Sequence, residues 1–126
     1  MLLRLYVSGN WGSRYRLRAE VARLRALGNE VRATWTDHEE AGEPLVEAVR
    51  DLEEIRWAEA LILDALDECN QTGGREFEAG FAHALWRPVY IVGPARNVFH
   101  RLGRDRWDTW DEAIRSGRFG DPVPVG

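Results

Sequence analysis

The sequence has little of what a disulfide or a metal centre requires. Cys69 is the only cysteine among 126 residues. A single thiol forms no internal disulfide and builds no thiolate-rich zinc site. The three histidines, His38, His83 and His100, are scattered and lack the spacing of metal ligands. We therefore expect no metal centre.

Long apolar runs and an excess of positive charge are also missing. No run of about 18 apolar residues is present, although a membrane span requires one. The first residues, MLLRLYVSG, are interrupted by charge too early for a signal peptide. Acidic residues outnumber basic ones by 21 to 17, whereas a nucleic-acid binder usually carries a basic excess. The sequence thus predicts a cytoplasmic protein that binds neither a membrane nor a nucleic-acid polymer.

Apolar segments alternate with amphipathic ones along the chain. The apolar segments predict strands over 2–8, 30–35, 58–64, 88–93 and 106–110. The amphipathic segments predict helices over 14–27, from Pro44 to about 55, over 75–85, and from a Thr109 cap to 115. This alternation predicts an α/β fold, namely a single flavodoxin-like (Rossmann-like) domain of three layers with a parallel sheet of about five strands. We expect the domain to span 1–117, followed by an irregular tail over 118–126.

Two of these helices carry apolar stripes that we expect to face the sheet. The stripe of the second helix contains Leu45, Ala48, Val49, Leu52 and Ile55. The stripe of the third helix contains Phe77, Phe81, Ala84 and Leu85. This phase places Glu78 beside the stripe and Glu76 nearer to solvent.

Ligands of parallel sheets bind outside the carboxyl ends of the strands, so the loops there are the candidate functional segments. The first loop, SGNWGSR, opens a helix whose N–H groups suit an anion, but it lacks the dinucleotide and P-loop motifs. A plain glycine-rich turn explains this loop equally well. Glu78 and Asp51 can form a carboxylate pair across two helices. Taken singly, each is more simply a dipole-compensating or solvated acid.

Four segments, in order, resemble the nucleoside 2-deoxyribosyltransferases and the related deoxynucleoside 5′-monophosphate N-hydrolases. They are LYVSGN, GNEVRATW, RDLEEIRWAEALILD and TGGREFEAGFAHALWRPVYIVGP, the last of which is followed by NVF. In the third segment Glu59 replaces the usual second aspartate of the family pattern. The resemblance extends from about Leu3 to Trp110.

The resemblance implies a reaction at the glycosidic bond of 2′-deoxynucleosides or their 5′-monophosphates. Glu78 matches the nucleophile that attacks C1′ of the sugar, and Asp51 matches the acid that assists proton transfer. Tyr6 matches the hydroxyl that orients the nucleophile. The deoxyribosyl group would pass to another base or to water, without a metal or an organic cofactor.

The resemblance also implies residues that bind the substrate. Trp11 and Trp35 are candidates for the base pocket, and Gly9, Ser13 and Arg14 for a 5′-phosphate. Thr72 stands where some transferases carry another acid, and Gly74, two residues later, is a further candidate. Asn97 matches a residue that reaches the substrate in a neighbouring subunit, so we expect a homodimer or a larger homo-oligomer.

Two other functions fit the same sequence. One is a non-catalytic nucleotide-binding module of the same fold. The other is an interaction protein whose six tryptophans serve an interface. Release of free base from a deoxynucleoside distinguishes the enzyme from both.

Overall fold

The chain forms a five-stranded parallel sheet flanked by helices. The structure is a computed structural model that describes residues 2–68 and 73–121. The strands are β1 (Arg4–Ser8), β2 (Glu30–Arg32), β3 (Ala60–Asp64), β4 (Val89–Val92) and β5 (Asp105–Trp107). The helices are α1 (Arg14–Ala26), α2 (Pro44–Trp57), α3 (Gly74–Ala84) and α4 (Trp110–Arg115). The strand order β2-β1-β3-β4-β5 is that of flavodoxin-like folds, which confirms the predicted fold class.

The direction of the crossovers divides the helices between two layers. The chain moves from β1 outward to β2 and then returns across β1 to β3, so right-handed connections place α1 and α2 on opposite faces. Contacts between α2 and α3, and between α1 and α4, complete the two layers. Because strand residues alternate between faces, Tyr6 and Ser8 of β1 point together toward the α2–α3 layer.

Several helix ends lie where local sequence signals predict them. Gly28 follows α1 with a φ of +102°, the left-handed conformation that glycine adopts without steric cost. Pro44 is the first residue of α2. Thr109 caps α4, and its hydroxyl accepts a hydrogen bond of 3.1 Å from the Glu112 amide.

The predicted second strand is too long at its carboxyl end. β2 ends at Arg32, and Thr34–Asp37 forms a turn of 3₁₀ helix that contains Trp35. The turn directs the Trp35 indole back over β1, where Nε1 donates a hydrogen bond of 2.9 Å to the carbonyl of Val7. Trp35 is therefore a core residue beside the end of β1 and not a strand residue.

The predicted apolar stripe of α2 is wrong in its first two turns. Leu45 is 69% exposed and Val49 is 46% exposed, whereas Ile55 is buried. The inward positions belong instead to Asp51, which is half-buried, and to Glu54, which is buried. Glu54 is satisfied there by hydrogen bonds from the amide and hydroxyl of Thr34.

The predicted stripe of α3 is also out of phase. Phe77 is 66% exposed and Ala84 is exposed, while Arg75 and Ala82 are buried. Arg75 lies inward because its guanidinium donates to the backbone carbonyls of Asp64 and Asp67. Glu78 shares this inward side.

The core continues beyond position 117. Residues 118–121 are neither helix nor strand, but Phe119 is fully buried. Its ring packs edge-on against Tyr90 and Trp107, with centroids 5.2 Å and 5.5 Å away. In the described parts of the chain, no helix has the length and apolar character that crossing a membrane requires.

Candidate active site

A cavity of about 310 Å³ opens at the carboxyl end of β1. The end of β1, the turns that follow β1 and β2, and the first turns of α2 and α3 enclose it. Its lining consists of Tyr6, Gly9, Trp11, Trp35, Ala41, Gly42, Pro44, Glu47, Asp51, Gly74 and Glu78. The volume lies at the lower end of the range of about 300–1,000 Å³ that small-molecule pockets occupy.

Two hydroxyl groups of β1 hold the carboxylate of Glu78. Tyr6 donates a hydrogen bond of 2.9 Å to Oε2, and Ser8 donates one of 2.7 Å to Oε1. Both donors come from the same face of β1, and α3, which supplies the carboxylate, packs against this strand. The orientation of Glu78 is therefore fixed at both oxygens.

Burial raises the pKa values of two carboxyl groups in the cavity. It raises the pKa of Glu78 to about 7, against hydrogen bonds from Ser8 and Tyr6, and the nearby Asp51 carboxylate raises this pKa further. Burial also raises the pKa of Asp51 to about 6, although Arg50 opposes the shift. The pKa of Tyr6 lies well above its usual value because the phenol is buried beside these acids, so Tyr6 remains a neutral donor. Two acids that titrate near neutrality are thus adjacent in one cavity.

Asp51 retains an open acceptor. Its Oδ1 is buried and has no hydrogen-bond partner among the residues described, although Nη2 of Arg50 lies 3.5 Å away. An unsatisfied buried acceptor costs folding free energy, about 1–3 kcal/mol, and such atoms are rare in folded proteins. A ligand that donates a hydrogen bond in this cavity would satisfy it.

The wall opposite the acids is built from the core. Gly9 is required there, because a Cβ atom at this position would lie 2.8 Å from Cδ1 of Leu17. Trp35 closes the same side, held by its hydrogen bond to Val7. Trp11, by contrast, is partly exposed at the mouth of the cavity.

Seven of the residues expected at the site meet in this cavity. They are Tyr6, Gly9, Trp11, Trp35, Asp51, Gly74 and Glu78. Thr72 lies outside the described residues. The three remaining residues, Ser13, Arg14 and Asn97, are not part of the lining.

Asn97 has a separate position on the surface. Its side chain accepts hydrogen bonds from the amides of Phe99 and His100 and so caps the 3₁₀ turn Val98–Leu102. Its Nδ2 lies 3.3 Å from Oε1 of Glu76. Glu76 also contacts Arg75 and His100 and is half-buried.

Sequence reasoning missed several contributors. Ser8, which holds Glu78, follows Tyr6 by two residues and therefore shares its face of β1. Glu47 lies one helical turn before Asp51 and lines the same cavity. Both spacings are visible in the sequence once Tyr6 and Asp51 are placed. Ala41 and Gly42 come from the irregular segment before α2, for which no such spacing rule applies, and Pro44 is the first residue of α2.

The fold is similar to those of known enzymes. A 2-deoxyribosyltransferase of Bacillus psychrosaccharolyticus superimposes with a TM-score of 0.73 at 18% identity, over 95% of this chain and 98% of that one. A CMP N-glycosidase of Clostridium botulinum gives 0.62 at 14% identity, over 90% and 96%. The predicted resemblance to deoxyribosyltransferases is therefore matched by a similar fold over nearly the whole chain.

The same architecture also occurs in another kind of protein. A 3-dehydroquinate dehydratase-like protein of Bifidobacterium longum gives a TM-score of 0.51 at 13% identity, over 92% of both chains. The sequence matches no protein-family model and no curated protein sequence. Since one fold supports several chemistries, the function has to be argued from the side chains of the cavity.

Proposed function

We propose that this chain cleaves the N-glycosidic bond of 2′-deoxynucleosides or their 5′-monophosphates and passes the deoxyribosyl group to another base or to water. The observation that carries the proposal is the Glu78 carboxylate, which lines a ligand-sized cavity with both oxygens held by hydroxyl groups. Asp51, with an open acceptor, lines the same cavity. Glycosidic cleavage requires a nucleophile and an acid, and here α3 and α2 supply these two groups.

The similar structures favour this chemistry over others. Of the three, one is named as a 2-deoxyribosyltransferase and another as a CMP N-glycosidase. The four sequence segments that resemble deoxyribosyltransferases include Tyr6, Asp51 and Glu78, and these three side chains meet in one cavity.

The first step is attack by the ionised Glu78 on C1′ of the sugar. A C1′–O bond forms and the C1′–N bond breaks, and its electron pair leaves with the base nitrogen, which takes a proton from Asp51. A second base or a water molecule then attacks C1′, releases Glu78 and returns a proton to Asp51. The transition states resemble an oxocarbenium ion, which the Glu78 carboxylate stabilises. Such a cation forms more easily without a 2′-hydroxyl, which favours deoxy substrates.

The raised pKa values allow the two acids to share one proton near neutral pH. The pKa of Glu78, about 7, is the higher of the two, so attack requires this proton to pass from Glu78 to Asp51, whose pKa is about 6. Tyr6 and Ser8 hold the carboxylate in place, and Trp11 offers an aromatic surface for the base at the cavity mouth.

The test is release of free base. Each deoxynucleoside and each 5′-monophosphate is incubated with the protein, and free base is measured by liquid chromatography. Adding a second base separates transfer from hydrolysis. We expect Glu78→Gln to reduce base release by at least about 1,000-fold, whereas Glu76→Gln, on the same helix but outside the cavity, retains it.

Two results would contradict the proposal. One is full activity in the Glu78→Gln variant. The other is a ligand-induced rise in melting temperature without base release from any substrate, which would indicate a non-catalytic binding module instead.

A further inference from the structure

The cavity presents acids and lacks cationic side chains. Glu47, Asp51 and Glu78 line it, and no arginine or histidine within 2–68 and 73–121 does. The chain contains no lysine, so arginine and histidine are its only cationic side chains. A bound 5′-phosphate would need at least one of them, or a set of backbone amides, within reach.

Arg14, which the family resemblance suggests for a 5′-phosphate, makes its hydrogen bonds elsewhere. Its Nε donates to the carbonyl of His38 at 3.0 Å, Nη1 to that of Trp11 at 3.1 Å, and Nη2 to that of Glu39 at 3.1 Å. Its guanidinium also stacks 4.3 Å from the centre of the Trp11 ring. All three nitrogens therefore link the loop that contains Trp11 to the loop that contains His38 and Glu39.

Two backbone amides at the start of α1 are occupied as well. The amide of Ser13 donates to the carbonyl of Asn10 at 2.9 Å, and the amide of Arg14 donates to that of Trp11. These two amides belong to the loop that the sequence analysis identified as a candidate anion site. Both donate hydrogen bonds within that loop.

The two cations closest to the acids are directed at Glu47. Arg50 donates to its Oε2, and Nδ1 of His38 lies 3.1 Å from its Oε1. The hydrogen bond from Arg50 lowers the pKa of Glu47, so Glu47 is ionised at neutral pH. Gly42 leaves room for this arrangement, because a Cβ atom there would collide with the Glu47 carboxylate.

We propose that the cavity selects uncharged 2′-deoxynucleosides over their 5′-monophosphates, and that Glu47 is the residue that sets this preference. The inference rests on the proposed function and narrows its substrate class. A phosphate inside the cavity would meet these carboxyl groups while Arg50 and His38 are already paired with Glu47, and such like-charge contacts are unfavourable where water is excluded. The sugar hydroxyls of a nucleoside instead donate hydrogen bonds to those same oxygens.

The experiment compares kcat/KM for thymidine and deoxyadenosine with kcat/KM for their 5′-monophosphates. We expect the nucleosides to be favoured by at least about 10-fold, equivalent to about 1.4 kcal/mol. Glu47→Gln should reduce this ratio at least about fivefold, mainly through a lower KM for the monophosphates. Glu53→Gln removes one negative charge from an exposed position of the same helix outside the cavity, and it should leave the ratio unchanged.

The outcomes separate this inference from the proposed function. Equal or better cleavage of the monophosphates, or an unchanged ratio in Glu47→Gln, overturns the selectivity and leaves glycosidic cleavage standing. Cleavage of neither class overturns the proposed function. In that case calorimetric titration of thymidine and its monophosphate into the protein still tests the preference, and tighter binding of the monophosphate contradicts it.

Discussion

The hydroxyl of Ser8 lies 2.7 Å from Oε1 of Glu78 and donates a hydrogen bond to it. Hydrogen bonds to charged groups contribute about 1.5–3 kcal/mol. We therefore expect Ser8→Ala to lower kcat for base release by about 10- to 100-fold, with a smaller change in KM. Tyr6→Phe, which frees the other oxygen, should have an effect of similar size.

Ser116→Ala is the matched control for this prediction. It removes a serine hydroxyl that bonds to the carbonyl of Ala113, at the end of α4 and away from the cavity. Its kcat should equal that of the unaltered protein. An unchanged kcat in Ser8→Ala together with a lower melting temperature would make Ser8 a structural residue only.

The pKa of Glu78 makes stability depend on pH. Because burial raises this pKa from 4.5 to about 7, the unfolded state loses its proton first as the pH rises, and the folded state is destabilised between these values. Glu78→Gln has no such titration. We expect the variant to gain stability relative to the unaltered protein between pH 5 and pH 8, by up to about 3 kcal/mol. Urea unfolding of both proteins at pH 5 and at pH 8 measures this difference in the free energy of unfolding.

An acid with a lowered pKa provides the control. Hydrogen bonding from Tyr15 lowers the pKa of Glu39, so this group is ionised throughout the same pH range. The stability difference between Glu39→Gln and the unaltered protein should therefore be constant from pH 5 to pH 8. A constant difference for Glu78→Gln as well would show that Glu78 titrates normally.

Asn97 is exposed and lies outside the cavity of its own chain. We predict that it completes the site of a neighbouring subunit in a homodimer or larger assembly. Asn97→Ala and Glu78→Gln proteins, each inactive alone, should then regain activity when they are unfolded together and refolded. In a symmetric dimer the recovery is about a quarter of the unaltered activity.

Mixing Glu78→Gln with Asp51→Asn is the control, because both residues line the cavity of their own chain and every cavity in a mixed dimer therefore keeps one substitution. It should restore nothing. A monomer by light scattering in the active protein would contradict the role of Asn97.

Trp86 occupies a strained position at the end of α3. Its φ is +61°, and its side chain is 93% exposed. The amide of Arg87 bonds to the carbonyl of Ala82 and that of Trp86 to the carbonyl of His83, a helix end that favours glycine at this position. Trp86→Gly should raise the free energy of unfolding by about 1 kcal/mol in urea titrations.

Trp86→Ala separates the backbone from the ring. Alanine removes the indole but keeps the left-handed strain, so its stability should stay close to that of the unaltered protein. Equal gains in both variants would assign the effect to the exposed ring.

The fold was predictable because parallel strands and caps have local signatures. Apolar segments marked the strands, and Gly28 and Thr109 marked two helix ends. Helix phase was less predictable. Hydrophobicity places apolar residues inward, but the inward side of α2 carries Asp51 and Glu54, and that of α3 carries Arg75 and Glu78. Helices that border a site bury polar groups that have specific hydrogen-bond partners. A search for apolar periodicity does not detect such groups.

Residues of the candidate site were predictable where a chemically suitable residue type lies within a segment that resembles the family. Tyr6, Asp51 and Glu78 met these conditions and share the cavity. Ser13 and Arg14 were placed by chemical suitability and rough position, and the structure directs Arg14 to three backbone carbonyls instead. Glu47 follows from its spacing to Asp51 on α2, whereas no periodicity reveals the path of the segment around Gly42.

The indole of Trp35 donates a hydrogen bond to the carbonyl of Val7, a fully buried residue of β1. This wall of the pocket is thus part of the hydrophobic core, and substitutions that reshape it to change the ligand will also lower the stability of the fold. The segment from Ala41 to Glu47 lies outside that core, so we expect substitutions there to change substrate preference without this loss of stability.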